Sequence, residues 1–341
     1  EFRRVLFRSA AIIGGTGDAT ATGIISSTGT LTKSGAGTWT LSGVNTYTGA
    51  TTISVGTIKV GATTTVLGPV ANSAITITGT LDLNGYNLAV GSIAGTGSIT
   101  SSVAGSLTLT VGANNTSTIF SGVISDGSGT GSLIKNGTGA LTLSGANTYV
   151  GATIVNAGIL TIGNNSALGN VSGATTIALG GTINLNGFTT AEPFTISGSL
   201  VNNSANAATT SGDITLTTAA IFGGTGAGIV TASGAISGTG TLTISATSTW
   251  ILSGVNTYSG TTIITTGTLR LGNNDALGTT TATTIALGAI MDLNGFSTAE
   301  LFNISGSLIN NSATTSSTSG DFTLTTAAII GGTGNGKTTM M

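Results

Sequence analysis

The chain has no cysteine and no histidine, and charged residues make up only 5% of its 341 positions. Without cysteine there is no disulfide framework and no thiolate metal site, and without histidine this span cannot hold a Ser-His-Asp triad. The formal charge of −2 provides no basic surface, so nucleic acid is not an expected partner. No apolar run reaches the roughly 18 residues of a spanning helix, so no membrane insertion by this span is expected.

Glycine, threonine and serine supply much of what the sequence does contain. Glycine alone contributes 56 residues, and polar Thr, Ser, Asn and Gly interrupt every apolar stretch within a few positions. No long window rich in Glu, Lys, Leu and Ala predicts a helix. β-branched residues dominate instead, and their stiff χ1 torsion favours strands. We therefore expect an almost wholly β chain.

One long block occurs three times, which is the strongest signal in the sequence. The copies begin at Gly37, Gly139 and Ser248, and the second spacing is slightly longer than the first. A second block follows each copy, with the cores LDLNGY at Leu81, INLNGF at Ile183 and MDLNGF at Met291. The chain thus contains about three long repeats of roughly a hundred residues each.

Apolar residues recur with a period of two inside each block, which predicts strands with one buried face. The aligned inward positions are Ile53, Val155 and Ile264, then Ile58, Leu160 and Leu269, then Val60, Ile162 and Leu271. Between the last two sets stand Lys59, Thr161 and Arg270, which we expect to face water.

Asparagine and glycine mark the predicted turns, because both residues tolerate positive φ better than other residues. Asn-Gly pairs begin at Asn84, Asn136, Asn186 and Asn294. Asn-Asn pairs begin at Asn114, Asn164, Asn202, Asn273 and Asn310.

Many short strands with tight turns suit either an antiparallel sandwich or barrel, or a β-solenoid. The pattern is unchanged along the chain, as expected when each coil meets only its neighbours. No segment differs enough to form a second domain, and 341 residues would be unusually many for one sandwich. A solenoid with roughly 20–25 residues per coil would have about 14–17 coils.

Three stretches share the pattern L-x-G-x-N-T-Y-x-G-x-T, at Leu41–Thr51, Leu143–Thr153 and Leu252–Thr262. They closely resemble the autotransporter-associated β-strand repeat, which is found in passenger domains of type V secreted proteins. The resemblance extends from Ala10 to Gly336. It implies a right-handed parallel β-helix, export through the outer membrane and display on the bacterial surface. It also implies a C-terminal membrane β-barrel in the full-length protein, and it implies no single activity, because passengers include adhesins, aggregation factors and enzymes.

The residues that carry this resemblance are expected to be structural. They are Leu41, Asn45 and Tyr47, Leu143, Asn147 and Tyr149, and Leu252, Asn256 and Tyr258. The tyrosines could contact sugars, but several coils separate them and prevent mutual stacking. A structural role beside the asparagine turn is the favoured interpretation.

The expected organisation has three parts. Residues 1–9 form a foreign leader, because their basic sequence matches nothing later in the chain. Residues 10–336 form the β-helix passenger fragment, and residues 337–341 are a truncated end.

Two glycine-rich patterns suggest ligand chemistry but are better explained by repeated turns. Residues Gly331–Thr338 match the phosphate-binding loop G-x-x-x-x-G-K-[ST], yet the same GGTG recurs at Gly14 and Gly223 without the lysine. Calcium-binding G-G-x-G-x-D repeats are not matched either, because Asp18 does not stand at the required place.

Duplicated acids and Thr-x-Thr pairs are also more simply structural. The acids pair by repeat as Glu192 with Glu300, Asp213 with Asp321, and Asp82 with Asp292. Such partners would lie four or five coils apart, about 20 Å at the strand spacing, which is too far for a glycoside-cleaving dyad. An ice-binding surface would need regular Thr-x-Thr pairs, whereas Thr38/Thr40, Thr76/Thr78, Thr108/Thr110, Thr215/Thr217 and Thr323/Thr325 are irregularly spaced.

The sequence therefore predicts a structural or adhesive passenger stalk at the bacterial outer surface, with no catalytic residue, cofactor or metal in this span. Its expected partners are host or neighbouring-cell surface glycans or proteins. Two alternatives stay open: a fragment of a polysaccharide-acting β-helix enzyme with its active site elsewhere, and a repeat surface protein without an export barrel. Extending the reading frame would discriminate between them, because membrane strands favour the first and a clustered Asp/Arg/Lys/His patch favours the enzyme.

Overall fold

The computed structural model describes residues 10–62, 65–279, 282–325 and 327–334, and the backbone of residues 4–6 and 338–340. Short strands that pair in parallel make up the described chain, which forms a β-solenoid of about 16 turns. The all-β parallel architecture is therefore confirmed. Among the described residues, no helix has the length and hydropathy needed to cross a membrane.

The chain divides into two compact units, Glu1–Thr175 and Thr176–Met341. The strands of the first unit are β1 (Arg4–Leu6), β2 (Ala11–Ile13), β3 (Ala19–Ala21), β4 (Ile24–Ser26), β5 (Leu31–Lys33), β6 (Thr38–Leu41), β7 (Thr51–Ile53), β8 (Thr57–Val60), β9 (Ala74–Ile77), β10 (Thr80–Asp82), β11 (Leu88–Val90), β12 (Ser92–Gly95), β13 (Ser98–Thr100), β14 (Ser106–Val111), β15 (Thr118–Phe120), β16 (Val123–Ile124), β17 (Thr130–Lys135), β18 (Ala140–Leu143), β19 (Thr153–Val155) and β20 (Gly158–Ile162).

Three stacks of parallel strands form the sides of the first unit, and we call them faces one, two and three. Face one has the order β2-β5-β7-β9-β12-β15-β18-β20. Face two is β3-β6-β8-β10-β13-β16, and face three contains β11-β14-β17-β19. Coil length varies along face one. Ile75 pairs with Ile93 across a short coil, whereas Gly95 pairs with Phe120 across a longer one.

The first two copies of the long block do not lie on the same face of this unit. Ile53 belongs to β7 on face one, whereas its repeat partner Val155 belongs to β19 on face three. Because coil lengths vary, the spacing between the copies does not correspond to a whole number of coils. Similar sequences consequently meet solvent on different sides of the first unit.

The second unit repeats this construction. Its strands are β21 (Thr175–Ile177, which begins at the unit boundary), β22 (Gly181–Asn184), β23 (Thr189–Thr190), β24 (Phe194–Ile196), β25 (Ser199–Val201), β26 (Ala208–Thr210), β27 (Ile214–Leu216), β28 (Ala219–Gly224), β29 (Val230–Ala232), β30 (Ile236–Gly238), β31 (Thr241–Leu252), β32 (Thr262–Leu271), β33 (Thr283–Ile285), β34 (Ile290–Asp292), β35 (Phe302–Ile304), β36 (Ser307–Ile309), β37 (Ser316–Thr318), β38 (Phe322–Leu324), β39 (Ile329–Gly331) and β40 (Thr338–Met340).

Two long strands of the second unit each contribute to two stacks. The stacks β22-β25-β28-β31-β32-β33-β35-β38 and β23-β26-β29-β31-β32-β34-β36-β39 share β31 and β32. These strands pass from one side of the coil to the next without ending. The remaining sides are formed by β24-β27-β30 and by β37-β40.

The core contains the side chains that the period-two pattern predicted. All nine predicted inward positions, Ile53, Val155, Ile264, Ile58, Leu160, Leu269, Val60, Ile162 and Leu271, are 0% exposed. Lys59 and Arg270 lie between them on the outer face, as predicted, with side chains 29% and 31% exposed. Burial of aliphatic side chains from coil to coil is the main favourable term in such a fold.

Positive φ, the basis of the turn predictions, is confirmed at all four predicted Asn-Gly pairs, on the asparagine in the second block and on Gly137 after Asn136, but at only one Asn-Asn pair. Asn84, Asn186 and Asn294 have φ of 51, 49 and 51°, and each is followed by a glycine with positive φ. Among the Asn-Asn pairs, only Asn115 adopts positive φ in the described part of the chain. Asn202 and Asn310 are instead buried, because their side-chain amides bond to loop backbone.

Candidate functional site

The three L-x-G-x-N-T-Y-x-G-x-T stretches form matching coils, which we call Asn–Tyr modules (residues 41–51, 143–153 and 252–262). Each module starts from a buried leucine at the end of a strand. These leucines are Leu41 in β6, Leu143 in β18 and Leu252 in β31. After the leucine the chain leaves the strand and crosses to the next side of its own unit.

The asparagine of each module is bonded to the coil before it and to the coil after it. The Oδ1 atom of Asn45 accepts from the Ile25 amide at 2.7 Å, and its Nδ2 donates to the Val66 carbonyl at 2.6 Å. Both bonds recur, at 2.6 to 2.9 Å, for Asn147 with Ile124 and Ala167 and for Asn256 with Ile236 and Ala276. Because these asparagines are only 1 to 3% exposed, water cannot replace the bonds, and each module ties three successive coils together.

The tyrosine of each module lies inside the coil. Its hydroxyl pairs with a threonine hydroxyl four residues later, at 2.6 Å for Tyr47 with Thr51, 2.6 Å for Tyr149 with Thr153 and 2.8 Å for Tyr258 with Thr262. Burial raises the pKa of Tyr47 and Tyr258 above the ordinary value, although the threonine bond opposes the rise; the charge of Glu300 adds to it at Tyr258. The phenols of Tyr47 and Tyr258 are therefore neutral at pH 7, and the buried rings of all three tyrosines have no face open to a sugar.

A glycine of the following coil covers each tyrosine. Gly68, Gly169 and Gly278 have φ of 84, 91 and 68°, and a Cβ on any of them would lie 2.5 Å from the tyrosine carbonyl oxygen. A side chain at this position would strain the backbone and separate the coils. The coil after each module thus contributes a glycine that the repeated sequence pattern did not identify as part of this contact.

Two lysines are buried at the corners just before the first two modules, and the sequence interpretation missed them. Lys33 donates to the carbonyls of Gly35 at 2.6 Å, Ser34 at 3.2 Å and Val55 at 3.3 Å. The ammonium of Lys135 has the equivalent three carbonyls, those of Asn136, Gly137 and Ala157, at 2.7, 2.8 and 3.2 Å. All three donors of each ammonium are used within the protein, so neither lysine offers a free site to a ligand.

Burial changes the proton affinity of both lysines. It lowers the pKa of Lys33, where the charge of Asp18 opposes the change, and it lowers the pKa of Lys135 to about 8. A signal for these lysines did exist in the sequence. Each stands two residues after an inward leucine, at the position that Ile244 occupies in the third copy.

The duplicated aspartates of the second block are turn caps. The Oδ1 atom of Asp82 accepts from the amides of Asn84 and Ser102, both at 2.8 Å, and its Oδ2 lies 3.7 Å from Lys59 Nζ. Asp292 repeats the arrangement with the amides of Asn294 and Asn311 and with Arg270 Nε at 2.9 Å. In the second copy the matching sequence positions are Asn184 and Thr161, so the acid and the base are absent together.

The remaining candidate ligand patterns were the other acids, the glycine-rich loops and the Thr-x-Thr pairs. No group of three or more His, Cys, Asp or Glu side chains there is close enough to hold a metal ion. Asp18 caps the Thr38 amide at 2.7 Å. The phosphate-loop pattern at Gly331–Thr338 falls partly outside the described residues, because residues 335–337 are not described. All ten threonines of the Thr-x-Thr pairs are exposed or half-buried, as predicted for outward strand positions.

Comparison with known proteins points to the repeated blocks of the sequence. A family model described as passenger-associated-transport-repeat matches residues 31–60, 133–162 and 247–271. The adhesin BmaC autotransporter of Brucella suis biovar 1 (strain 1330) is 34% identical over 115 residues, which is 33% of this chain and 3% of that protein. The chain thus spans a small part of that relative's length. No solved structure matches.

Proposed function

Because this chain carries autotransporter passenger repeats, which are displayed outside the cell at the outer-membrane surface, we propose that it is a structural and adhesive stalk without catalytic activity of its own. Its partners are glycans or proteins on host or neighbouring-cell surfaces. In the full-length protein, a C-terminal translocator barrel anchors the stalk. The adhesive part of the proposal rests on the Brucella relative, which is named as an adhesin.

The observation that carries the scaffold role is the division between repeated and variable residues. The leucine, asparagine and tyrosine of every module are buried in contacts between coils. The outward position before each asparagine varies instead, from the exposed Val44 and Val255 to Ala146. Repetition therefore serves the scaffold, while recognition would depend on outward residues that differ from coil to coil and from face to face.

The finer features of the proposal follow from the same family. The nine module residues act structurally and not as a binding site. The coils wind with a right hand, and three long units of roughly a hundred residues succeed one another within residues 10–336. In sequence, residues 1–9 and 337–341 stand outside the passenger repeats, although Arg4–Leu6 and Thr338–Met340 pair in parallel with other strands.

Adhesion can be tested with the purified chain coupled to fluorescent beads. We expect saturable attachment to epithelial or bacterial cells, above the level of beads coated with an inert carrier protein. Periodate treatment of the cells would remove binding to glycans, and protease treatment would remove binding to proteins. Attachment no greater than the carrier's on every surface would contradict the adhesive role.

Catalysis is tested separately on the same material. Release of reducing ends from plant, host or bacterial polysaccharides should not exceed the buffer blank. Hydrolysis that follows the purified chain through an additional chromatographic step would contradict the proposal and favour the enzyme alternative.

A further inference from the structure

Hydrogen bonds hold three of the four Asn-Gly pairs in the described part of the chain, namely those of the second block. In each of these three pairs the glycine amide donates to a side-chain oxygen of the next coil: Gly85 to Ser101 Oγ at 3.0 Å, Gly187 to Asn202 Oδ1 at 2.9 Å and Gly295 to Asn310 Oδ1 at 3.0 Å. The side-chain amides of Asn84 and Asn294 are held as well, because they donate to carbonyls of the preceding coil at 2.8 and 3.0 Å. These side chains cannot approach the following glycine nitrogen until such bonds break.

The fourth pair, Asn136-Gly137, lacks these restraints. It stands directly after β17, at the corner that Lys135 closes. Among the residues that the structure describes, neither the Gly137 amide nor the Nδ2 atom of Asn136 has a hydrogen-bond partner. Asn136 is half-buried, so its side-chain amide borders the solvent. This pair can therefore rearrange more easily than the other three.

Two polar groups at this corner favour a reaction between the Gly137 nitrogen and the Asn136 side chain. Amide resonance shares the negative charge of a deprotonated Gly137 nitrogen with the Asn136 carbonyl oxygen. Lys135 Nζ donates to this same oxygen at 2.7 Å, so the ammonium stabilises the nitrogen as a nucleophile. Asn156 Nδ2 donates to Asn136 Oδ1 at 2.8 Å. That bond draws electrons from Cγ and stabilises the oxyanion that forms there during attack.

The other two copies of the long block form this corner without an asparagine. Ser34 stands at the equivalent position in the first copy, and Ser245 stands there in the third. A serine side chain has no carbonyl carbon that the next backbone nitrogen could attack. The corner therefore does not require an amide, and of these three corners the second copy alone has the reactive arrangement.

From these contacts we propose that Asn136 is a modification site at which the folded protein promotes its own deamidation. The Gly137 nitrogen loses its proton and bonds to Cγ of Asn136, while the Cγ–Nδ2 bond breaks and Nδ2 takes up the proton and leaves as ammonia. Water then opens the succinimide ring at either carbonyl and leaves aspartate or isoaspartate. One water is consumed and one ammonia is released, with no oxidation or reduction. Both products place a new carboxylate at the Lys135 corner, and isoaspartate also lengthens the main chain by one carbon atom.

Storage of the folded chain at mildly alkaline pH, followed by peptide mass spectrometry, tests this proposal, because each Asn-Gly pair can be followed in its own peptide. We expect Asn136 to deamidate at least about tenfold faster than Asn84, Asn186 and Asn294, whose turns must first break hydrogen bonds. The chain unfolded in guanidinium chloride gives the rates that the sequence alone sets, and there the four pairs should react alike. Equal rates at the four pairs of the folded chain would overturn the proposal, as would slower reaction of Asn136 in the folded than in the unfolded chain.

Matched variants test the two assisting groups. Lys135→Met removes the ammonium and should slow deamidation of Asn136 about tenfold, because a charged hydrogen bond to the developing anion is lost. Lys59→Met removes the same charge from β8 and should leave that rate unchanged. If Lys135→Met does not fold, Asn156→Ala removes the bond to Oδ1 at an exposed position and should slow the reaction severalfold. A rate at Asn136 that is unchanged or higher in the folded variant would overturn the proposal.

Discussion

The corner before the first Asn–Tyr module and the corner before the third perform the same turn by different means. In the first copy β5 ends at Lys33, and Gly35 turns the chain with φ of 79°. In the third copy Ile244 stands at the lysine position, and β31 continues through the corner to Leu252 with register shifts against β32. A solenoid corner can thus be a strand end closed by an ammonium or a bent strand without one.

The difference lies in how carbonyl groups at the corner are satisfied. In the first copy the Lys33 ammonium collects three carbonyls from its own coil and the next. In the third copy, threonine hydroxyls bond other carbonyls near the corner: Thr265 Oγ1 donates to the Ile244 carbonyl at 2.9 Å, and Thr247 Oγ1 donates to the Gly226 carbonyl at 3.2 Å. Buried backbone groups must be paired, and the chain meets this demand with a cation in one copy and with neutral donors in the other.

The largest effect should come from moving the lysine into the wrong corner. Ile244→Lys places an ammonium at an aliphatic position that is 0% exposed, so we expect a loss of about 4 kcal/mol of unfolding free energy. Urea unfolding measures it. Ile263→Lys, at an outward position of β32, is the control and should cost little. An Ile244→Lys chain as stable as that control would mean that both corners accept a charge.

A shared feature should respond equally in both copies. Asn45→Ala and Asn256→Ala each remove two bonds between coils and leave a buried amide and a buried carbonyl unpaired, at a cost of about 3 kcal/mol. Hydrogen exchange should show faster exchange of the Ile25 and Ile236 amides, which donate to these asparagines. Asn303→Ala, at an exposed strand position, should leave exchange unchanged. Unequal losses of unfolding free energy in Asn45→Ala and Asn256→Ala would show that the type of corner before a module changes how much its asparagine stabilises the fold.

A smaller effect separates the energetic cost of a positive φ from the cost of close contact between coils. Gly56 has φ of 71°, and a Cβ there would lie 2.4 Å from the Gly35 carbonyl oxygen and 2.7 Å from Lys33 Nζ. Gly288 has φ of 82° but open space around it. We expect Gly288→Ala to cost about 1 kcal/mol from positive φ alone, and Gly56→Ala to cost about 2.5 kcal/mol because the preceding coil must also move. Equal urea midpoints for the two variants would mean that the corner accommodates a Cβ at Gly56 without additional cost.

The smallest effect is a dependence on pH that only the lysine corners can produce. The pKa of Lys135 is lowered from 10.5 to about 8, so between these values the unfolded chain binds more protons than the folded chain. Stability should therefore rise with pH from about 8 upward. The three carbonyl bonds favour the ammonium and oppose this rise, which keeps it small.

Measurement of this dependence should stop below the ordinary tyrosine pKa of 10. Lys135→Met should reduce the rise to the part that Lys33 contributes, whereas Lys59→Met, at the half-exposed lysine of β8, should preserve it in full. A rise of the same size in Lys135→Met would assign it to another group.

Several parts of the site were accessible from the sequence because they depend on local pattern. Alternation placed Ile58 and Val60 inward and Lys59 outward, since side chains of a strand alternate between its two faces. Asn-Gly predicted the turn at Asn84 because these residues accept positive φ. The duplicated Asp82 and Asp292 were interpreted as caps because a catalytic pair would have to be close in space.

Other parts depend on which coil lies next, and the pattern contains no information about that. Lys33 was missed because a lysine two residues after an inward leucine is buried only if carbonyls from the next coil meet its ammonium. Asn202 was expected to turn the backbone, but its amide bonds to loop carbonyls and amides instead. Gly169 covers Tyr149 because a loop between them has a particular length.

The sequence by itself determined that this chain is all-β, that it repeats and that Ile, Leu and Val form its core, because these properties follow from residue type and a period of two. Only the tertiary structure decided which residues meet between coils. Coil lengths differ, so one long repeat moves a block from face one to face three of the first unit. The same stacking decided that Lys33 is buried, because its ammonium donates to the Val55 carbonyl, 22 residues away in the chain.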